Sequence, residues 1–185
     1  MPHLRSLRGG ASLIDVFKAF PQTSAPLIEF HEALLRGRSP FTATERELIA
    51  AYVSGLNRCR YCHGVHTAAA ERMGVEVGLL PRILRDGDLV GVDAKLRPVL
   101  TLARKLTAAP DSVTRADAQA VFAAGWDDAA LYYAVAVTAL FNLMNRLVEG
   151  LGIELDPTYV GPAAERLAER GYLPLLELMR GGRRS

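Results

Sequence analysis

No segment of the chain alternates apolar and polar residues with period two for long enough to build a strand. Ala, Leu, Arg and Glu dominate most segments, a composition that favours helix. The pattern predicts an all-α chain with helices over 12–20, 25–36, 44–56, 58–73, 76–85, 94–107, 114–124 and 127–149, and a terminal pair near 162–169 and 174–180. Pro21, Pro40, Gly74, Asp86-Gly87, Pro110, Gly125, Pro157, Gly161 and Gly171 punctuate them. The most apolar run, residues 129–141, stops at Asn142, short of the ~20 residues that span a bilayer, and reads as a helix buried in protein.

Shifting the sequence by 70 positions aligns 44–57 with 114–127. Thr44 meets Thr114, Ala50 meets Ala120 and Gly55 meets Gly125, with similar types at Glu47/Asp117, Tyr52/Phe122 and Asn57/Asp127. The echo is short, but it suggests an internal duplication whose second copy has lost its chemistry: Cys59, Cys62 and His66 become Ala129, Tyr132 and Ala136.

At 185 residues the chain is read as one domain, 1–185, large enough to bury a core without staples. All 22 basic residues but Lys18, Lys95 and Lys105 are arginine, yet 20 acidic residues nearly cancel them. The net charge of +2 is spread along the chain, which argues against a nucleic-acid partner. The GGRRS tail (181–185) is read as a frayed terminus. The first twenty residues lack a continuous apolar stretch and a small-residue cleavage site, so a cytoplasmic protein with no membrane partner is expected. Two cysteines in a reducing compartment make a poor structural staple.

Those two cysteines stand in GLNRCRYCHGVHTAAAERMG (55–74) with two of the four histidines. Random placement would give a C-x-x-C spacing in roughly 1% of cases, so the spacing is informative. With Asn57 as N-cap, Cys59 falls in the first turn of a new helix and Cys62 one turn later. The unpaired amides and helix dipole there favour a thiolate. His63 lies four residues after Cys59 and His66 four after Cys62, giving each thiol an imidazole on its own helical face. Such an imidazole activates a thiol, and a second thiol captures a sulfenic acid as a disulfide. Arg58 and Arg60 flank Cys59, more as solvated first-turn residues than as a docking site. Upstream, Glu47 fits a capping box with Thr44. The alternative reading folds its carboxylate back against the Cys62/His66 face.

Glu47, Cys59-x-x-Cys62 and His66 together resemble the signature of the alkylhydroperoxidase (AhpD-like) branch of the carboxymuconolactone decarboxylase family. The wording of 45–70 and of FNLMNRLVEGLGIEL (141–155) further resembles its uncharacterised peroxidase-related subgroup. The resemblance covers about 25–155 and leaves 156–185 as a C-terminal helical extension. It implies an all-α helical bundle that assembles as a homo-oligomer, a trimer or hexamer. It also implies a cofactor-free, metal-free dithiol peroxidase that reduces organic hydroperoxides with electrons from a thiol or lipoyl-protein donor. Cys62 would attack the peroxide, Cys59 would resolve, and Glu47 with His66 would relay protons. Tyr61 departs from members that place a histidine before the second cysteine, and His63 stands where they have none. Tyr61, His63 and Asn142 are carried as supporting candidates. The decarboxylase branch lacks the cysteine pair.

Three rival readings attach to the same residues. Cys59 to His63 spells the C-x-x-C-H pattern of haem attachment, which normally needs export. Cys59, Cys62, His63 and His66 are competent zinc ligands, but four within eight residues of one helix are crowded for a tetrahedral ion. A non-enzymatic, redox-sensing helical assembly protein is the third. His3 and His31 read as surface or packing residues. Asn142, Asn145 and Arg146, on an otherwise apolar helix, need partners if buried: the active site, a subunit interface or a neighbouring helix end.

Overall fold

The computed structural model describes residues 2–180. Among them are ten α-helices, one 3₁₀ turn at Pro110–Ser112 and no strand. In chain order the helices are α1 Leu13–Ala19, α2 Pro21–Leu35, α3 Ala43–Leu56, α4 Arg60–Arg72, α5 Leu79–Asp86, α6 Arg97–Ala108, α7 Arg115–Ala123, α8 Asp128–Gly150, α9 Pro157–Arg170 and α10 Leu173–Arg180. The all-α expectation holds; the GGRRS tail lies outside the described residues. Two predicted separators begin helices instead. Pro21 and Pro157 occupy the first turn, where the N–H they lack would be unpaired anyway, so α2 and α9 start several residues early.

α3 is the centre of the molecule. Its residues 46–54 are all buried, and it packs against α4, α5, α6 and α8, while α4 packs on its other side against α9. An almost wholly buried helix must be apolar all round or have partners for each polar group. Arg46 answers with hydrogen bonds to the carbonyls of Leu34, Gly37 and Thr42, closing the end of α2. α8 runs past Asn142 to Gly150, and by length and hydropathy alone it is long and apolar enough to cross a membrane. Its inward residues, among them Ala130, Ala134, Val137, Phe141 and Val148, belong to the protein core.

The capping boxes correct the reading of Glu47 and of the internal echo. Thr42, not Thr44, caps α3, in a box with Glu45; Thr44 instead donates to the Met73 carbonyl at 3.1 Å. Thr114 and Asp117 form the corresponding box of α7, so Asp117 matches Glu45 rather than Glu47. Asp127 caps α8 through the Ala130 amide, whereas Asn57 closes α3. The 70-residue alignment is therefore out of register with the helix starts, and Glu47 is released from capping.

Candidate active site

The turn between α3 and α4 places the sulfurs. Asn57 is the C-cap of α3 and Arg58 takes a left-handed φ of 57°, which reverses the chain in two residues and makes Cys59, not Asn57, the N-cap of α4. Asn57 Nδ2 donates to Oδ1 of Asn142 at 3.1 Å and of Asn145 at 2.9 Å, pinning the turn to α8. Cys59 N donates to the Ser54 carbonyl, and Asn145 Nδ2 to Ser54 Oγ. Cys59 is fully buried, Cys62 is 3% exposed, both are free thiols, and they approach to 3.5 Å.

The two thiols share a proton. A hydrogen bond from Cys62 lowers the Cys59 pKa against burial and the nearby Glu149 carboxylate. The same bond, then burial and the Cys59 charge, raise Cys62 well above an ordinary thiol, with a hydrogen bond from Asn145 acting the other way. Of the pair, Cys59 at the helix N-terminus is therefore the thiol that ionises more readily.

Glu47 has no exposed surface and makes three short contacts. Oε2 accepts from His66 Nδ1 at 2.7 Å; Oε1 accepts from Arg36 at 2.6 Å and from the Tyr172 hydroxyl at 2.9 Å. Burial opposes its ionisation, but His66 and Arg36 outweigh that and hold its pKa at about 2. An ionised carboxylate only accepts, so His66 carries a proton on Nδ1, and in the neutral imidazole Nε2 is then the acceptor. Arg36 is anchored further by the carbonyls of Leu35 and Leu167. Tyr172 is placed by Gly171, whose φ of 65° turns α9 into α10 and lets the Tyr172 amide reach Glu32 at 2.7 Å.

Cys62 and His66 open onto an apolar cavity of about 60 Å³, against the roughly 10–15 Å³ that one water needs. Ile28, Val65, Phe141 and Met144 form its apolar wall, and Tyr61, Tyr159 and Tyr172 add aromatic faces. Burial, then Tyr159, then the Cys62 charge raise the Tyr61 hydroxyl far above its ordinary pKa, so it is a neutral donor. Tyr61 thus joins the site, without the second base that a histidine would provide. His31 is in the same wall: it is buried, its ring lies against Phe141 and Tyr172, and Nδ1 meets the Leu27 carbonyl at 2.7 Å. Burial lowers its pKa to about 4, so at neutral pH it is an uncharged imidazole with Nε2 unprotonated.

Of the predicted residues, Glu47, Cys59, Cys62, His66 and Tyr61 are brought together. His63 is not: its Nδ1 lies 3.0 Å from the Ala51 carbonyl and 3.3 Å from Thr67 Oγ1. Asn142 supports the turn and bonds Thr107 and Arg146, while Asn145 is the α8 asparagine at the thiols. Among the described residues no three His, Cys, Asp or Glu side chains are grouped as a metal site would group them. Sequence reasoning missed Arg36, Tyr172 and Glu149, passed over His31, and named Asn145 only as a polar residue of α8 in need of a partner. Only tertiary packing distinguishes them, since Arg36 closes α2, Tyr172 lies in the α9–α10 turn, His31 is on α2 and Asn145 and Glu149 are on α8, all far from the cysteines in sequence.

Ten helices around a buried Glu/His pair and a C-x-x-C turn define an AhpD-like all-α protein. Residues 21–104, which include Glu47, Cys59, Cys62 and His66, match the model of the carboxymuconolactone decarboxylase family, to which that segment of the chain is similar. An uncharacterised peroxidase-related protein from Silicibacter sp. TM1040 is 26% identical, with a TM-score of 0.75 over 80% of this chain and 78% of that one. An AhpD core structure from Ralstonia eutropha JMP134, also an uncharacterised peroxidase-related protein, shares the fold at 24% identity, with a TM-score of 0.73 over 78% and 76% of the two chains. No curated protein matches the sequence significantly.

Proposed function

We propose that the protein is a dithiol peroxidase that reduces organic hydroperoxides. The observation that carries this reading is a free thiol, Cys62, lining an apolar cavity with an imidazole whose Nδ1 is held by a buried carboxylate. Charge favours Cys59, but Cys59 does not line the cavity and has no surface; access therefore selects Cys62 as the attacking sulfur. Its proton passes to Cys59 or His66, and the Cys62 thiolate attacks the terminal peroxide oxygen. The O–O bond breaks, the alkoxide takes a proton and leaves as the alcohol, and Cys62 becomes a sulfenic acid. Cys59 thiolate then attacks the Cys62 sulfur, expelling hydroxide that is protonated to water, and a disulfide forms. An external dithiol, a lipoyl group or similar, resets the pair by exchange and is itself oxidised to a disulfide.

The test is consumption of cumene hydroperoxide and hydrogen peroxide with dihydrolipoamide and other dithiol donors. Wild type is expected to turn over; Cys62→Ser is expected to be inactive; Cys59→Ser is expected to stop after one equivalent. Absence of turnover with every donor, while both thiols titrate, removes the assignment. An active Cys62→Ser beside an inactive Cys59→Ser reverses the two roles.

A further inference from the structure

The cavity contains a cation that the peroxidase chemistry does not use. Arg166, half-buried on α9, lines it together with Cys62 and His66. Its one hydrogen bond donates to the Tyr159 hydroxyl at 2.9 Å, and its guanidinium carbon stands 5.7 Å from that ring. Its Nε is buried with no hydrogen-bond partner, and no carboxylate among the described residues lies within ion-pair distance. Arg82 Nε shares the first property, but Arg82 sits outside the cavity and has Glu76 as a partner. In a largely apolar cavity, a guanidinium short of acceptors and without a carboxylate partner is best satisfied by an anionic oxygen, which takes the fork of N–H groups and the charge together. The Tyr159 ring stacks 6.0 Å from Tyr61, which adjoins Cys62, so a continuous aromatic wall joins the guanidinium to the reactive sulfur.

We propose that the cavity takes carboxylate-bearing organic hydroperoxides. Arg166 holds the carboxylate at the α9 end, the apolar body lies along Tyr159 and Tyr61, and the hydroperoxide end reaches Cys62. The identity of the reacting group rests on the peroxidase reading above; the carboxylate site does not. Arg166 is a specificity residue in this scheme and takes no part in proton or electron transfer.

Calorimetric binding of hexanoate and of its neutral isostere hexanamide, to the reduced full chain, tests the site without turnover. Wild type is expected to bind hexanoate about ten- to a hundredfold more tightly, the range of one charge-assisted contact. In Arg166→Gln the preference is expected to vanish, and in Arg166→Lys to survive in part because charge remains without the fork. Equal binding of the two ligands by wild type overturns the proposal whether or not the variants fold, and so does an undiminished preference in folded Arg166→Gln. Turnover of cumene hydroperoxide, measured in parallel, reports on the peroxidase reading alone: its absence beside a clear hexanoate preference rejects the chemistry and retains the site.

Discussion

Replacing Glu47 by Gln tests the buried carboxylate in two ways at once. The amide has nearly the same shape, so packing is kept, but the charge that compensates Arg36 and fixes His66 is gone. Arg36 has a side chain only 14% exposed, and removing one partner of a buried pair costs about 3–5 kcal/mol. The Leu35 and Leu167 carbonyls still accept from Arg36, which favours the lower end. At about 2–4 °C per kcal/mol for a chain of this size, the melting temperature should fall by roughly 6–12 °C. The catalytic consequence is separate. The substituted amide can turn its NH₂ toward His66 Nδ1, which shifts the imidazole proton to Nε2 and removes the base facing the cavity. General-base contributions of roughly 10²–10⁴ set the expected loss of peroxidase rate at a hundredfold or more. Differential scanning calorimetry and peroxide consumption read the two effects independently. A rate within about threefold of wild type would falsify the relay, and an unchanged melting temperature would refute the buried-pair argument.

Acid should unfold the protein in two windows. His31 has a folded pKa of about 4 against an ordinary 6.5, so the folded state resists its protonation and stability falls as pH drops from about 6.5 toward 4; His31→Gln should flatten that limb of a melting-temperature profile. Glu47, held at about 2 against 4.5, contributes stability that is complete above about pH 4.5 and lost as pH falls toward 2, a limb absent from Glu47→Gln. Gly171→Ala should cost about 1–3 kcal/mol in denaturant titration, because its φ of 65° and ψ of −146° suit only glycine and the new Cβ would stand 2.7 Å from Glu32 Oε2. Tyr132, Val135, Ala139 and Leu143 form an exposed apolar stripe at helical spacing on α8, and we expect it to join copies of the chain. Light scattering should show an oligomer for wild type and a smaller species for Leu143→Arg; a wild-type monomer rejects the idea.

Helix identity is legible because it depends on local propensity and punctuation: the Gly and Asp-Gly stops and the long apolar segment of α8 declare themselves within a few residues. Helix starts are less so. A proline at N1 looks the same in sequence as a proline that separates helices, and two threonines two positions apart each offer a plausible cap, so the pattern misassigns Pro21, Pro157 and Thr42. The site divides along the same line. Cys59, Cys62 and His66 follow one another along a single short stretch and are joined by spacing alone. Glu47 reaches them across the α3–α4 pair, and its partners Arg36 and Tyr172 come from 11 residues before it and 125 after it. Nothing local marks an arginine at a helix end or a tyrosine after a glycine as the support of a carboxylate. His63 shows the converse error: correct spacing from Cys59 puts it on the right face, yet the Ala51 carbonyl claims its ring.

The asymmetry between the two sulfurs gives the proposed cycle its direction. A thiolate on Cys59 cannot meet a peroxide, because Cys59 has no exposed surface and does not line the cavity. It does stand against Cys62, where a sulfenic acid would form, with its charge already stabilised for attack. In the return half-reaction the donor meets the same constraint: Cys62 is the sulfur at the cavity, so exchange begins there and Cys59 is the leaving group. Leaving thiols depart faster as their pKa falls, and Cys59 stands at the N-cap of α4, where the unpaired amides favour a thiolate even while Cys62 is held in the mixed disulfide. One geometric inequality, a sulfur with access beside a sulfur with charge, thus assigns attack, resolution and release to the same two residues without requiring either to move between roles.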